Sequence, residues 1–190
     1  MKVLFIHGLA SSGAYKMASS LRILLKPCEV ISPDVPIEPD KALRMLQGIC
    51  SSERPDLVVG LSLGGFWAQK LRGQRKILVN PDFHVSSLMR ALRGEVKYLS
   101  PRSDGALSFT LTDEICDEYE ALEATQWDGL DREEISLTRA MFADSDELVQ
   151  CGPEFELRYP GRGITYPGAH LPTFPELKQH LVPLVKEFNI

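Results

Sequence analysis

Short apolar runs without polar alternation recur along the chain, and stretches with apolar residues every three or four positions lie between several of them. Runs such as "VLFI" (3–6), "LVV" (57–59) and "ILV" (77–79) suit strands covered on both faces, as in a parallel sheet. On this pattern strands are predicted near 3–7, 28–32, 57–61, 76–80, 136–143 and 162–166. Between the first two, Ala14, Met17, Ala18, Leu21, Leu24 and Leu25 recur at helical spacing before Pro27 stops the helix. A second helix starts in "EPDKALRMLQGIC", where Pro39 fits a first turn and Leu43, Leu46, Ile49 and Cys50 form the inner stripe. The last, "TFPELKQHLVPLVKEF", puts Leu177, Leu181, Leu184, Val185 and Phe188 on one side, with Pro183 placed to bend it.

Alternating strand and helix implies an α/β fold, a mostly parallel central sheet flanked by helices. Residues 81–135 interrupt the rhythm with a helix near 85–93, a mixed stretch around "SPRSDG" and the acidic "TDEICDEYEALEA", in which Ile115, Tyr119 and Leu122 share a helical face. So long an excursion between two strands reads as a short cap-like insertion over a pocket. No repeat, low-complexity tract or linker marks a boundary, so the 190 residues are expected to form a single domain.

Composition narrows the partners. With 21 Lys and Arg against 26 Asp and Glu, a formal charge of −5 and no basic run, the chain lacks the footprint of a nucleic-acid binder. The start, "MKVLFIHGLASSG", has too short an apolar stretch for a signal-peptide core or a membrane span, so a cytoplasmic location with no membrane partner is expected. Cys28, Cys50, Cys116 and Cys151 have no paired spacing, which argues against a metal site and for reduced, mostly buried thiols.

The chemistry concentrates at "VVGLSLGGFWAQ". Gly60-Leu61-Ser62-Leu63-Gly64 fits G-x-S-x-G, between an apolar strand and a helical pattern that a glycine, Gly73, stops. A sharp strand-to-helix turn strains the serine backbone, and small residues two places away let strand and helix approach. The hydroxyl is expected to stand exposed above the sheet edge, at a helix amino terminus that favours developing negative charge.

A serine hydroxyl needs a base near neutral pH. Of four histidines, His180 lies within the last helix and reads as structural, His84 opens a helix after "NPDF", and His7 in "HGLASSG" suits the shaping of an anion site. His170, in the loop "YPGAHLPTF" between the last strand and last helix, completes the chain order of nucleophile, carboxylate, histidine. Folding is expected to bring its imidazole within hydrogen-bonding distance of Ser62. For the carboxylate, "FADSDELV" offers Asp144, Asp146 and Glu147 just after a strand, and spacing does not choose among them. The oxyanion would be held by backbone N–H groups: Leu63, directly after the nucleophile, and Leu9, in the loop after the first strand.

Taken together, "FIHGLASSG", "ISPDVPIEP", "DLVVGLSLGGFWAQKL", "ILVNP", "ADSDELV" and "GAHLPTF" resemble the small bacterial YqiA/YcfP-like esterase family of the α/β-hydrolase superfamily. The resemblance covers most of 1–82 and 136–190 and is thin between them. It implies a compact α/β-hydrolase fold and a serine esterase with Ser62 as nucleophile, His170 as base and Leu9 after the His7-Gly8 pair. It also selects Asp146, three residues before Val149, as the acid. The chain departs from the family at Asp82-Phe83-His84, where small apolar residues are more usual.

These residues predict a small-molecule ester as partner, with a small or short acyl group, and a triad and acyl-enzyme that require no cofactor or metal. Two other classes use the same features: an acyl-CoA thioesterase, which would need a basic patch absent from the sequence pattern, and a non-catalytic binding or regulatory protein on a hydrolase scaffold.

Overall fold

The computed structural model describes residues 1–190. In chain order the elements are β1 (Lys2–Ile6), α1 (Lys16–Leu24), β2 (Glu29–Ile31), α2 (Pro39–Glu53), β3 (Leu57–Leu61), α3 (Leu63–Lys70), β4 (Lys76–Val79) and α4 (Val85–Ala91). Next come β5 (Gly94–Lys97), β6 (Ser108–Leu111), α5 (Asp113–Ala124), α6 (Arg132–Ser136), β7 (Thr138–Ala143), α7 (Gly152–Arg158) and β8 (Gly163–Tyr166). The chain closes through α8 (Phe174–Glu176), a π-helical stretch (Leu177–Leu181) and α9 (Val182–Glu187).

Six strands form one parallel sheet in the order β2-β1-β3-β4-β7-β8. Side chains alternate across a strand, so each strand feeds two cores. Leu4, Ile6, Val58, Leu78 and Ala140 face α2, α3, α4, α5 and α7. Val3, Phe5, Val59, Ile77, Val79 and Met141 face α1 and the carboxyl-terminal helix. This double coverage explains why the strands read as continuous apolar runs. From β1 the chain winds toward one edge and from β3 toward the other, so the direction reverses between β1 and β3. In such sheets a crevice forms at the reversal, beyond the carboxyl ends of the strands.

All six predicted strands of the sheet are present, and the local differences have physical causes. Helix α1 begins at Lys16, leaving Ala14 exposed ahead of it. Strand β7 starts two residues late because Asp131 accepts the Glu134 N–H at 2.8 Å and caps the one-turn α6. Helix α3 ends at Lys70, and Gly73, with φ +70°, shapes the turn beyond it rather than the cap. Pro183 cannot donate to the helical ladder and crowds the carbonyl one turn back; a π-helical stretch precedes it. Wider turns of this kind accommodate such local disruption.

The excursion differs most from its reading. Its mixed stretch contains an antiparallel hairpin, β5–β6, outside the main sheet. Only alternate residues of β5 are half-buried, a pattern too short and polar to register as a strand. Cys116 and Cys151 are buried, whereas Cys28 and Cys50 are only partly covered, and all four are free. No helix is long and apolar enough to cross a membrane.

Candidate active site

Ser62 occupies the turn between β3 and α3 with φ 55° and ψ −119°, a left-handed φ that costs an L-residue energy and persists only when its surroundings impose it. Its N–H donates to Val79 O at 3.0 Å, and its carbonyl accepts from Gly65 N at 2.7 Å. The glycines make this turn possible. A Cβ on Gly60 would lie 2.1 Å from Gly64 O, and one on Gly64 would lie 2.0 Å from Ile6 O. Both distances are far inside contact range, so α3 could not sit this close to β1 and β3 with any side chain there. The residue as a whole is 9% exposed, and the chain at Gly8 passes close to it: a Cβ on Gly8 would be 3.3 Å from Ser62 Cβ.

At the other side of this edge, His170 Nδ1 lies 2.7 Å from Asp146 Oδ2. The imidazole is 11% exposed and the carboxylate 3%. Asp146 Oδ1 accepts from the N–H groups of Leu148 and Val149, both at 2.9 Å, so the carboxylate is held by its own turn while Oδ2 faces the ring. Asp144 and Glu147 are exposed. Asp144 Oδ1 accepts from Ser145 Oγ and from Gly168 N at 3.2 Å, bracing the loop ahead of His170 without touching the imidazole. The three carboxylates that spacing left open are thus separated by burial and contact.

Asn80, not singled out by residue-level reasoning, ties the edge together. It is 2% exposed and has φ 43°, a conformation asparagine tolerates better than most residues. Its Nδ2 donates to His170 O at 2.8 Å and to Tyr166 Oη at 2.9 Å, while Oδ1 accepts from Ala143 N at 2.8 Å. One side chain therefore fixes the ends of β7 and β8 to the end of β4, next to the Val79 carbonyl that receives Ser62 N–H. Burial pushes the Tyr166 hydroxyl up to about 12, so it remains protonated at neutral pH, with Asn80 opposing that shift. The signal was available as a buried-type asparagine at a strand end in "ILVNP", but nothing local indicates three partners. Ser62 and His170 share the carboxyl edge, and no hydrogen bond joins the hydroxyl to the ring.

His7 holds the opposite rim. Nδ1–H donates to Gly8 O at 2.8 Å, and Nε2 accepts from Val35 N at 3.0 Å, which requires the neutral ring. Burial is the largest cause lowering its pKa to about 4; the Gly8 contact opposes it and Arg102 adds to it. Ala10, at φ 56°, accepts from Leu99 N at 2.7 Å, so the excursion anchors this loop. No loop, cap or side-chain hydrogen bond takes up the N–H of Leu9 or Leu63. His84, exposed, pairs with Glu154 at 2.7 Å, and His180 packs against Tyr166 in the terminal helix. Asp82 is buried beside Ser62 O, and burial raises its pKa, while the His84 N–H and the His84 and His170 charges pull the other way.

The His7 arrangement has a measurable cost in acid. The unfolded chain takes up this proton below about pH 6.5, the folded one only near 4, so stability is complete above 6.5 and falls as pH drops through that window. The full effect is roughly 3 kcal/mol. The urea midpoint should fall less between pH 7 and 4.5 in His7→Gln than in the unchanged protein. Parallel curves for the two would show that His7 protonation is not responsible.

A family model described as "Uncharacterised protein family (UPF0227)" matches residues 2–128. The chain belongs to UPF0227. That match agrees with the YqiA/YcfP-like resemblance carried by the HG loop and the serine turn. No curated protein sequence matches this UPF0227 chain. Among solved structures, it is similar to a pyrethroid hydrolase from Sphingobium faniae JZ-2, with 15% identity, TM-score 0.60 and coverage of 99% of this chain and 96% of that one. A methylesterase from Arabidopsis gives 14% identity, TM-score 0.62 and coverage of 98% and 99%. A fluorophosphonate-binding serine hydrolase from Staphylococcus aureus gives 16%, 0.59, 98% and 82%. At these identities the likeness establishes the α/β-hydrolase fold for the UPF0227 chain.

Proposed function

We propose that the protein is a serine hydrolase of carboxylic esters, with Ser62 as nucleophile, His170 as base and Asp146 as the orienting acid. The observation that carries this reading is the 2.7 Å Asp146–His170 contact at the same sheet edge as a serine in a strained left-handed turn. The ring donates Nδ1–H to Asp146, which leaves Nε2 as the acceptor for the Ser62 proton. Ser62 Oγ attacks the ester carbonyl, His170 takes the proton, and the N–H groups of Leu9 and Leu63 hold the negative oxygen. The collapsing intermediate expels the alcohol, which leaves with the proton from His170. Water, deprotonated in turn by His170, then releases the acid. Catalytic hydrogen bonds commonly tighten only when substrate is bound, so the unmade Ser62–His170 bond is compatible with this sequence of steps.

That the similar solved structures are a pyrethroid hydrolase and a methylesterase supports the reaction class. A fluorophosphonate should label the peptide containing Ser62, as read by mass mapping. Labelling elsewhere, or none in folded protein, would count against the assignment.

A further inference from the structure

We propose that Asp34 and Ser12 are positioning residues for the oxyanion site: with residues 99–103 they clamp the loop after β1 so that the Leu9 N–H stays aimed at the substrate oxygen; this rests on the serine-hydrolase reading. The need for a clamp follows from the loop's own sequence. The Leu9 N–H belongs to the peptide that follows Gly8, and a glycine lets that peptide turn more freely than any other residue would. On its other side Ala10 is held at φ 56°, which an L-residue adopts only when its surroundings impose it. An N–H left free to turn would lose much of its value, because an oxyanion donor acts by being aimed before the charge develops.

Those surroundings are the stretch around "SPRSDG" and the loop after β2. Leu99 N–H donates to Ala10 O at 2.7 Å. Ser12, fully buried, donates its hydroxyl to Pro101 O at 2.6 Å and lies 3.0 Å from Ser100 Oγ. Asp34 joins the two segments. Its Oδ1 accepts from Gly13 N–H at 2.8 Å, and its Oδ2 accepts from the Ser103 N–H and hydroxyl, both at 2.6 Å. Bonds to a carboxylate are about twice as strong as those between neutral groups. Arg102, its side chain 6% exposed, stiffens the stretch by donating to Val35 O at 3.3 Å and lying 4.6 Å over the Tyr98 ring. The Val35 N–H in turn holds His7 Nε2. The loop is therefore tied down at His7, Ala10, Ser12 and Gly13, on both sides of Leu9. None of these bonds reaches the loops of Asp146 and His170, so loosening them should impair the oxyanion site and leave the base in place.

The test compares p-nitrophenyl acetate with its thiono analogue, in which sulfur, a weak hydrogen-bond acceptor, replaces the carbonyl oxygen. The unchanged protein should favour the oxygen ester. Asp34→Asn and, on a different loop, Ser12→Ala should each lower kcat/KM for that ester about tenfold, since the donor is misdirected rather than removed. The thiono ester should lose much less, so the preference for oxygen should shrink about fivefold. A smaller folded fraction would lower both esters equally and leave the ratio alone. Ser103→Ala, at an exposed position, should shift the ratio in the same direction by a smaller factor. Ser108→Ala cuts only the hairpin's own 2.7 Å bond to Glu95 and should leave both esters unchanged. An unaltered preference in the Asp34, Ser12 and Ser103 variants, with Ser62 still labelled by fluorophosphonate, would overturn the clamp alone, as would an equal shift in Ser108→Ala. Absence of both labelling and turnover in the unchanged protein would instead remove the hydrolase reading and this proposal with it.

Discussion

Ser62→Ala and His170→Ala should each lower kcat/KM for p-nitrophenyl acetate by on the order of 10⁴-fold, and the double variant should lose no more than either single one. Non-additivity is the informative part. Without the imidazole the hydroxyl keeps its proton at neutral pH, and without the hydroxyl the imidazole has nothing to activate; either change removes the same step. The fold should survive Ser62→Ala, because alanine has the same Cβ and no larger conflict with φ 55° than serine. Thermal denaturation alongside kinetics would establish that. Losses that multiply, or a Ser62→Ala variant with ordinary turnover, would mean that the two side chains do not act as a pair.

The carboxylates should separate just as sharply. Asp146→Asn should reduce turnover by roughly 10³- to 10⁴-fold, because an amide in place of the acceptor that meets Nδ1 favours the wrong tautomer and leaves the imidazolium without a counter-charge. Asp144→Asn should change turnover by less than about threefold: Asp144 is exposed, and its contacts with Ser145 and Gly168 can be made by an amide oxygen as well. Glu147, also exposed, belongs with Asp144. Measuring kcat/KM for the two variants under one set of conditions decides the matter. A larger loss at Asp144 would transfer the orienting role to it.

The contrast between these neighbours shows where reading a chain stops. The central strands β1, β3 and β4 were the most legible, because each is a short apolar run of Val, Ile, Leu or Phe buried from both sides. The serine turn was legible because the steric demand on Gly60 and Gly64 leaves a spaced pattern of its own. The β5–β6 hairpin was not, since its residues are half-solvated and its pairing joins positions 11 to 17 residues apart. Likewise, Asp144, Asp146 and Glu147 lie within four residues and have the same chemistry. Their difference is burial, a property of what the rest of the chain places over them.

The amino-acid sequence by itself determined the alternation of strand and helix, the strained turn at Ser62 and the candidate side chains in their order, because periodicity and glycine spacing are local steric facts. Only the tertiary structure decided which carboxylate meets His170, how deeply Ser62 sits, and that Asn80 clamps three strand ends. It also decided that residues 99–103 reach the loop carrying Leu9. Those outcomes depend on distances between segments remote in the chain, which packing settles when the whole sheet closes.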